Sequence, residues 1–176
     1  MKDKKIGILG GGTMGTVLLR SLLTRHPASQ LIVCDRSSDR LNQLKHFKGV
    51  QLTSDYHDLE QVEIIVLAVK PQDFSAVKFS WPKNTLAISV MAGITLKQIQ
   101  AQTGLKKVIR AMPNMAAKFG AGFTAWLGTG VVTKSDRQFA AKFFQHLGDE
   151  LEVMKEKMID QATAVTGSGP AYLLHT

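Results

Sequence analysis

The stretch "GILGGGTMG", residues 7 to 15, decides how the rest of the chain is read. It follows a short apolar run, "KIGIL" at 5 to 9, which reads as a buried strand running straight into the glycines. Beyond them Met14, Leu18 and Leu22 recur at i, i+4, i+8, with Val17 and Leu23 beside them, and this spacing predicts a helix to about His26, ahead of Pro27. Strand, turn and helix in that order are the context in which Gly10, Gly12 and Gly15 hold a dinucleotide. Gly10 allows the tight turn, Gly12 lets backbone approach a pyrophosphate, and Gly15 lets the helix pack closely. The free N–H groups at Thr13 and Met14, with the positive end of the helix dipole, then face the phosphates. A glycine turn serving packing alone is the competing reading.

Twenty residues after Gly15, the second predicted strand "QLIVCD" (30 to 35) ends at Asp35, where an acid accepts bonds from an adenosine ribose, as for NAD. "RSSDR" follows at once, and Arg36 with Ser37 and Ser38 can surround a 2′-phosphate, as for NADP. The reading therefore ranks NADPH first and keeps NADH open. Asp35 as a plain turn acid and Ser37 as a helix cap are the structural alternatives. A helix after the cap turns Leu41 and Leu44 inward.

Further along, "EIIVLAVKP" at 63 to 71 carries six consecutive apolar residues, as expected of a central parallel strand covered on both faces, and Pro71 starts the next element. "TLAISVMAG" at 85 to 93 repeats the theme, with Thr95 and Gln98 in capping-box spacing after it. "KVIRAMPN" at 107 to 114 is another strand. "FTAWL", flanked by glycines, reads as a short strand of less regular pairing. Ser135 and Gln138 then form a second capping box ahead of Phe139, Phe143 and Leu147, with Gly148 ending that helix. After "ELEVM" a helical stretch starts near Lys157; Gly167, Ser168, Gly169 and Pro170 interrupt it, and Pro170 suits the first turn of a new helix. The alternation predicts an α/β fold, a Rossmann-like, doubly wound, mainly parallel sheet, with residues 1–160 as the dinucleotide-binding domain and 161–176 as the start of a helical second domain. The apolar ending cannot bury itself, so the remainder of that domain is expected to be missing or supplied by a partner.

Composition narrows the function. The chain has 176 residues, 44% hydrophobic and 20% charged, the profile of an ordinary globular domain. Its longest apolar run, Ile64 to Val69, is far shorter than a membrane span, and the N-terminus lacks a secretory h-region, so a cytoplasmic protein is expected. Cys34 is the only cysteine, and the five histidines have no ligand spacing, which leaves a metal site without support. A net charge of +8 favours an anionic partner. Nucleic acid and a phosphorylated cofactor are both such partners, and the dispersal of the basic residues argues against nucleic acid.

Four more stretches, "AVKPQ" (68 to 72), "SVMAG" (89 to 93), "RAMPN" (110 to 114) and "GSGPAY" (167 to 172), join "GILGGGTMG" in order and spacing. Together they resemble pyrroline-5-carboxylate reductase over essentially the whole chain. That resemblance implies hydride transfer from NADPH, with NADH possible, to the C=N bond of 1-pyrroline-5-carboxylate, giving proline. It implies cofactor contacts from Ala68, Val69, Lys70 and Pro71, from Met91, Ala92 and Gly93 beside the nicotinamide, and from Asn114 at the ribose and carboxamide. All lie at carboxyl ends of predicted strands. It further implies a small-molecule substrate, a homo-oligomer for the full-length protein, and catalytic residues in a C-terminal domain, so that this chain binds the cofactor but turns over poorly. Lys70 as a solvated strand-end lysine, Arg110 as a structurally paired edge charge, and Met91, Met112 and Met115 as core remain the plain alternatives; Asn114 is favoured over Arg110 for a direct role. Met115 and Ala116 depart from the Thr-Pro that usually follows "RAMPN". A second imine or β-hydroxyacid reductase, or a non-catalytic cofactor sensor, are the functional rivals.

Overall fold

Leu9 pairs with Cys34 on one side and Leu67 on the other, all three strands running parallel, and the rest of the sheet grows outward from this register. The computed structural model describes residues 4–77 and 80–173, with side chains to 166. In chain order the elements are β1 (Ile6–Leu9), α1 (Thr13–Leu23), β2 (Leu31–Cys34), α2 (Ser38–Leu44), β3 (Gln51–Thr53), β4 (Ile64–Leu67), α3 (Pro71–Phe74), β5 (Leu86–Ser89), α4 (Leu96–Thr103), β6 (Val108–Pro113), β7 (Gly122–Gly128), α5 (Lys134–Gln145), β8 (Gly148–Glu152) and α6 (Lys157–Leu173). The strands lie in the order β3-β2-β1-β4-β5-β6-β7-β8. Every pair is parallel except β6 with β7. The first six follow the doubly wound dinucleotide-binding order, as the alternation predicts.

Both faces of the central strands are covered, which is why they read as continuous apolar runs rather than alternating ones. Ile6, Ile8, Ile64, Val66 and Ile88 pack under Leu18, Leu19 and Leu22 of α1 and Phe139, Phe143 and Phe144 of α5. Leu9, Ile65, Leu67 and Ala87 meet Leu59, Phe74, Trp81 and Ile99 on the other face. Removing each of these large side chains from water contributes about 1.5–3 kcal/mol.

Several local expectations differ. α1 ends at Leu23, and the N–H groups of Arg25 and His26 close the turn on Leu22. "FTAWL" belongs to a seven-residue strand paired with β6 over five positions, from Ile109↔Gly128 to Pro113↔Thr124. The box that caps α5 is Thr133 with Asp136, not Ser135 with Gln138. Asp136 also reaches Lys107 at 3.2 Å, a tertiary partner that decides between the two overlapping patterns. Gly148 opens β8 instead of closing α5: its φ is +131° and a Cβ there would lie 2.1 Å from the Gly122 carbonyl oxygen. α6 continues through Gly167 to Pro170 as one helix, without the interruption and new start expected there. The end of the apolar tail, residues 174 to 176 with His175, lies outside the described residues. Among the described residues, no helix is long and apolar enough to cross a membrane and no group of three or more His, Cys, Asp or Glu could hold a metal.

Candidate dinucleotide-binding site

β1 is the point where the sheet's order reverses, with β2 to one side and β4 to the other, and the crevice outside such strand ends is where ligands of open α/β sheets bind. The glycine turn leaves β1 at this point. Its three signature glycines have separable geometric roles. Gly10 has φ +107°, and a Cβ there would lie 2.6 Å from the Ala68 carbonyl oxygen, so the turn is pressed against the end of β4. At Gly15 a Cβ would lie 1.9 Å from the Gly10 carbonyl oxygen, which locks the helix onto the turn. Gly12 caps α1, and nothing lies within 4 Å of its missing Cβ. That open side is a cradle for a ligand's approach, and the N–H groups of Thr13 and Met14 in the first helical turn have no intrahelical acceptor.

Asp35 takes a position the sequence left open. Its carboxylate is buried and accepts from the Gly11 N–H at 2.7 Å and from the Ser37 N–H at 2.8 Å, with Arg40 at 3.3 Å. It therefore ties the end of β2 to the glycine turn, in keeping with the turn-acid alternative. Ser37 caps α2, accepting from the Arg40 N–H at 3.4 Å. The cations beside Asp35 face the opening: Arg36 bridges to Asp73 of α3 at 3.0 Å, and Arg40 lines the same cleft. Burial pushes the Cys34 thiol up to about 12, with Asp35 adding to it, so this cleft-lining cysteine is a neutral thiol at neutral pH.

A cleft of about 370 Å³ collects most of the expected residues. Gly10, Gly12, Thr13 and Met14 line it from the first turn, Asp35 and Arg36 from the end of β2. Ala68, Val69, Lys70 and Pro71 line it beyond β4, and Met91 and Ala92 beyond β5. Lys70 is exposed at the start of α3, whereas Met91 is 2% exposed and packed in the core as well as against the cleft. Gly15, Ser37, Gly93 and Asn114 do not line it. Gly93, φ +73°, shapes the loop after Ala92. Asn114 accepts from the Phe123 N–H at 3.2 Å and donates to the Thr166 carbonyl at 3.4 Å. Arg110 is buried and paired with Glu156 at 3.2 Å and Asp160 at 2.6 Å, as its structural alternative holds. Met115 is exposed, and Met112 packs with the small cluster between β7 and α6.

A second hollow of about 340 Å³ adjoins the turn across Gly11 and Gly12 and is bordered by Arg20, Arg40 and Lys118. None of these three was singled out from sequence. Arg40 lies inside the quoted "RSSDR" and could have been; Arg20 and Lys118 reach the turn only through folding, from the third turn of α1 and from the 3-10 turn Met115–Phe119.

The doubly wound order, the switch-point cleft and the cradle at Gly12 define a dinucleotide-binding α/β domain. Residues 5–93 match the family described as NADP oxidoreductase coenzyme F420-dependent, and the chain belongs to that family. It is 36% identical over 180 residues to pyrroline-5-carboxylate reductase of Mycobacterium tuberculosis (strain ATCC 25618 / H37Rv), covering 96% of this chain and 61% of that relative. To the reductase of Escherichia coli (strain K12) it is 35% identical, covering 97% and 66%. Among solved structures, the pyrroline-5-carboxylate reductase from Coxiella burnetii superimposes with a TM-score of 0.89 at 30% identity, over 97% of this chain and 66% of that one. The Plasmodium falciparum pyrroline carboxylate reductase with NADP bound gives 0.80 at 26% identity, over 99% and 66%. The chain thus spans about three fifths to two thirds of the length of these relatives, and the resemblance read from its motifs holds along nearly all of it.

Proposed function

We propose that this chain is the NADPH-binding part of a pyrroline-5-carboxylate reductase, delivering hydride to the C=N bond of 1-pyrroline-5-carboxylate to give proline. What carries the reading is that residues far apart in sequence, Gly10 with 12–14, 68–71 and 91–92, line one cleft at the sheet's switch point. The relatives share the activity by name, and one of their structures holds NADP.

The residues fit such a cofactor. The open side of Gly12 and the first-turn N–H groups of Thr13 and Met14, which have no intrahelical acceptor, would hold the diphosphate, with Arg36 and Arg40 as the cations for a 2′-phosphate. Asp35 works from behind, fixing the Gly11 amide so that the turn keeps its shape. Ala68 to Pro71, Met91 and Ala92 would flank the nicotinamide half, leaving Lys70 as the cation near that end. The cofactor, when bound, supplies the hydride; the protein binds and orients, and such orientation lowers a barrier by ~7–11 kcal/mol at the extreme. The substrate-binding and catalytic groups are assigned to the region that the relatives have and these 176 residues do not align with, as is oligomerisation.

The test is a fluorescence titration with NADPH and NADH, followed by NADPH oxidation with 1-pyrroline-5-carboxylate, prephenate and a simple ketone as parallel substrates. Tighter NADPH binding, with slow oxidation by the pyrroline alone, is expected. No binding of either nucleotide, or preferential oxidation by another substrate, would refute the assignment.

A further inference from the structure

None of the residues of "RAMPN" lines the cleft, yet three of them meet α6, the helix into which "GSGP" is built. Arg110 and Met112 occupy alternate positions on β6 and so share one of its faces, and Asn114 follows directly after the strand's last residue, Pro113. Each touches α6, and the contacts climb the helix in the same order. Arg110 donates to Glu156 and Asp160, Met112 packs in the cluster that contains Ile159 and Ala162, and Asn114 donates to the carbonyl of Thr166. Glu156 in turn accepts from the Leu96 N–H at 2.8 Å, joining the start of α4 to the same network.

The last contact explains how α6 runs on. In an α-helix the carbonyl of residue i bonds the N–H of residue i+4, so the Thr166 carbonyl looks to position 170. Proline has no N–H, and its presence ordinarily ends or kinks a helix. Here the Asn114 amide stands in as the donor. Its own carbonyl oxygen is fixed by the Phe123 N–H, which orients the NH2 toward α6.

We propose that β6 is a two-point clamp on α6, in which Arg110 and Asn114 are positioning residues and Asn114 supplies the hydrogen bond that Pro170 cannot. The clamp fixes the direction in which α6 leaves the sheet; only its value for catalysis rests on the proposed function.

Hydrogen–deuterium exchange of α6 and NADPH affinity, measured on the 176-residue chain and its Asn114→Ala, Pro170→Ala and doubly substituted forms, test it. Asn114→Ala is expected to speed exchange in the second half of α6 about three- to tenfold while leaving NADPH affinity within about twofold. In the Pro170→Ala background, where an N–H is restored, Asn114→Ala should have no effect on α6. Arg110→Gln should also speed α6 exchange, and Pro170→Ala should not suppress it, which separates replacement of one hydrogen bond from general helix strengthening. An Asn114→Ala effect equal in both backgrounds, equal rescue of Arg110→Gln, or a tenfold loss of NADPH affinity with α6 unchanged would each overturn the clamp. Failure of the parent chain to bind NADPH would sink the proposed function alone, because the exchange comparison needs no cofactor.

Discussion

Substituting alanine in turn at Gly10, Gly12 and Gly15 separates a turn built for a ligand from one built for packing. At Gly12 the new methyl meets no protein atom within 4 Å, and φ −71° is ordinary for alanine, so the folded domain accommodates it. The N-cap preference for glycine over alanine and the lower entropy of the unfolded chain act in opposite directions, leaving stability within about 1 kcal/mol. Under the proposed function, the same methyl stands where the diphosphate would approach the amides of Thr13 and Met14. Losing one charge-assisted hydrogen bond removes about 1.5–3 kcal/mol, a rise in Kd of about 10- to 150-fold. Gly10→Ala and Gly15→Ala must instead fit a carbon 2.6 Å and 1.9 Å from backbone carbonyl oxygens, one of them at φ +107°, so both should unfold or lose several kcal/mol before any cofactor is added. The assay is a thermal melt with and without NADPH. At a concentration of ~100 times the parent's Kd the ligand adds about 2.7 kcal/mol, or about 5–11 °C for a chain of this size. For Gly12→Ala, at the mild end of the range, the gain falls to about 1.4 kcal/mol from an unchanged starting Tm. A Gly12→Ala chain with the parent's full NADPH shift would show that the turn does not grip the cofactor, and the functional reading would go with it.

Arg36→Gln and Arg40→Gln should each weaken NADPH about tenfold and leave NADH unaltered, as read by paired titrations, because only the former carries the 2′-phosphate; equal losses for both nucleotides would assign the arginines to shape alone. Phe144, fully buried between α5 and the sheet, should cost about 3–5 kcal/mol as Phe144→Ala, a fall of about 6–20 °C in Tm without loss of NADPH affinity at low temperature. Burial pushes the Asp136 carboxyl up, but hydrogen bonds from Thr133 and the nearby Lys107 charge outweigh it and hold the group below the ordinary carboxylate range. A carboxyl whose pKa is lower folded than unfolded adds stability above the unfolded value near 3.9 and loses it as pH falls through the folded one. The stability gap between the parent and Asp136→Asn should therefore be full at about pH 6 and shrink as pH falls below the unfolded value of about 3.9 and through the lower folded one, and a gap independent of pH would contradict the ionic assignment.

The parts of the fold that sequence made legible are those fixed by short-range chemistry. Buried central strands need apolar runs, a tight turn at Gly10 needs glycine, and Thr95 with Gln98 satisfies the first amides of α4 whatever surrounds them. The elements that went unread owe their form to neighbours. β3 is three residues with one apolar side chain, and β8 is "GDELE"; nothing in either stretch resembles a strand until β2 or β7 offers its edge. Two capping patterns overlap ahead of α5, and Lys107, far off in sequence, selects the one containing Asp136. The candidate site divides along the same line. That Gly10 with 12–14, 68–71 and 91–92 share a cleft follows from strand ends and was legible; that Asp35 faces inward to Gly11 was not, because the spacing from Gly15 is the same for a ribose acceptor and for a brace.

The brace has a consequence for specificity. With both carboxylate oxygens engaged by the Gly11 and Ser37 amides, Asp35 offers the ribose less than an outward acid would, and the charge that would repel a 2′-phosphate is partly neutralised by Arg40. Arg36 is drawn toward Asp73 on the opposite lip, an exposed pair of the kind worth about 1 kcal/mol or less, so a phosphate arriving at the cleft meets a guanidinium that a weak partner readily releases. Under the proposed function, this arrangement would favour NADPH without a dedicated phosphate pocket. Asp73→Asn should accordingly leave NADH affinity as it is and tighten NADPH by up to about fivefold, the gain expected from freeing one arginine of a competing acid. Titration of that variant against both nucleotides would tell, and an NADPH affinity that fell would mean that Asp73 holds Arg36 in place for the phosphate instead of competing for it.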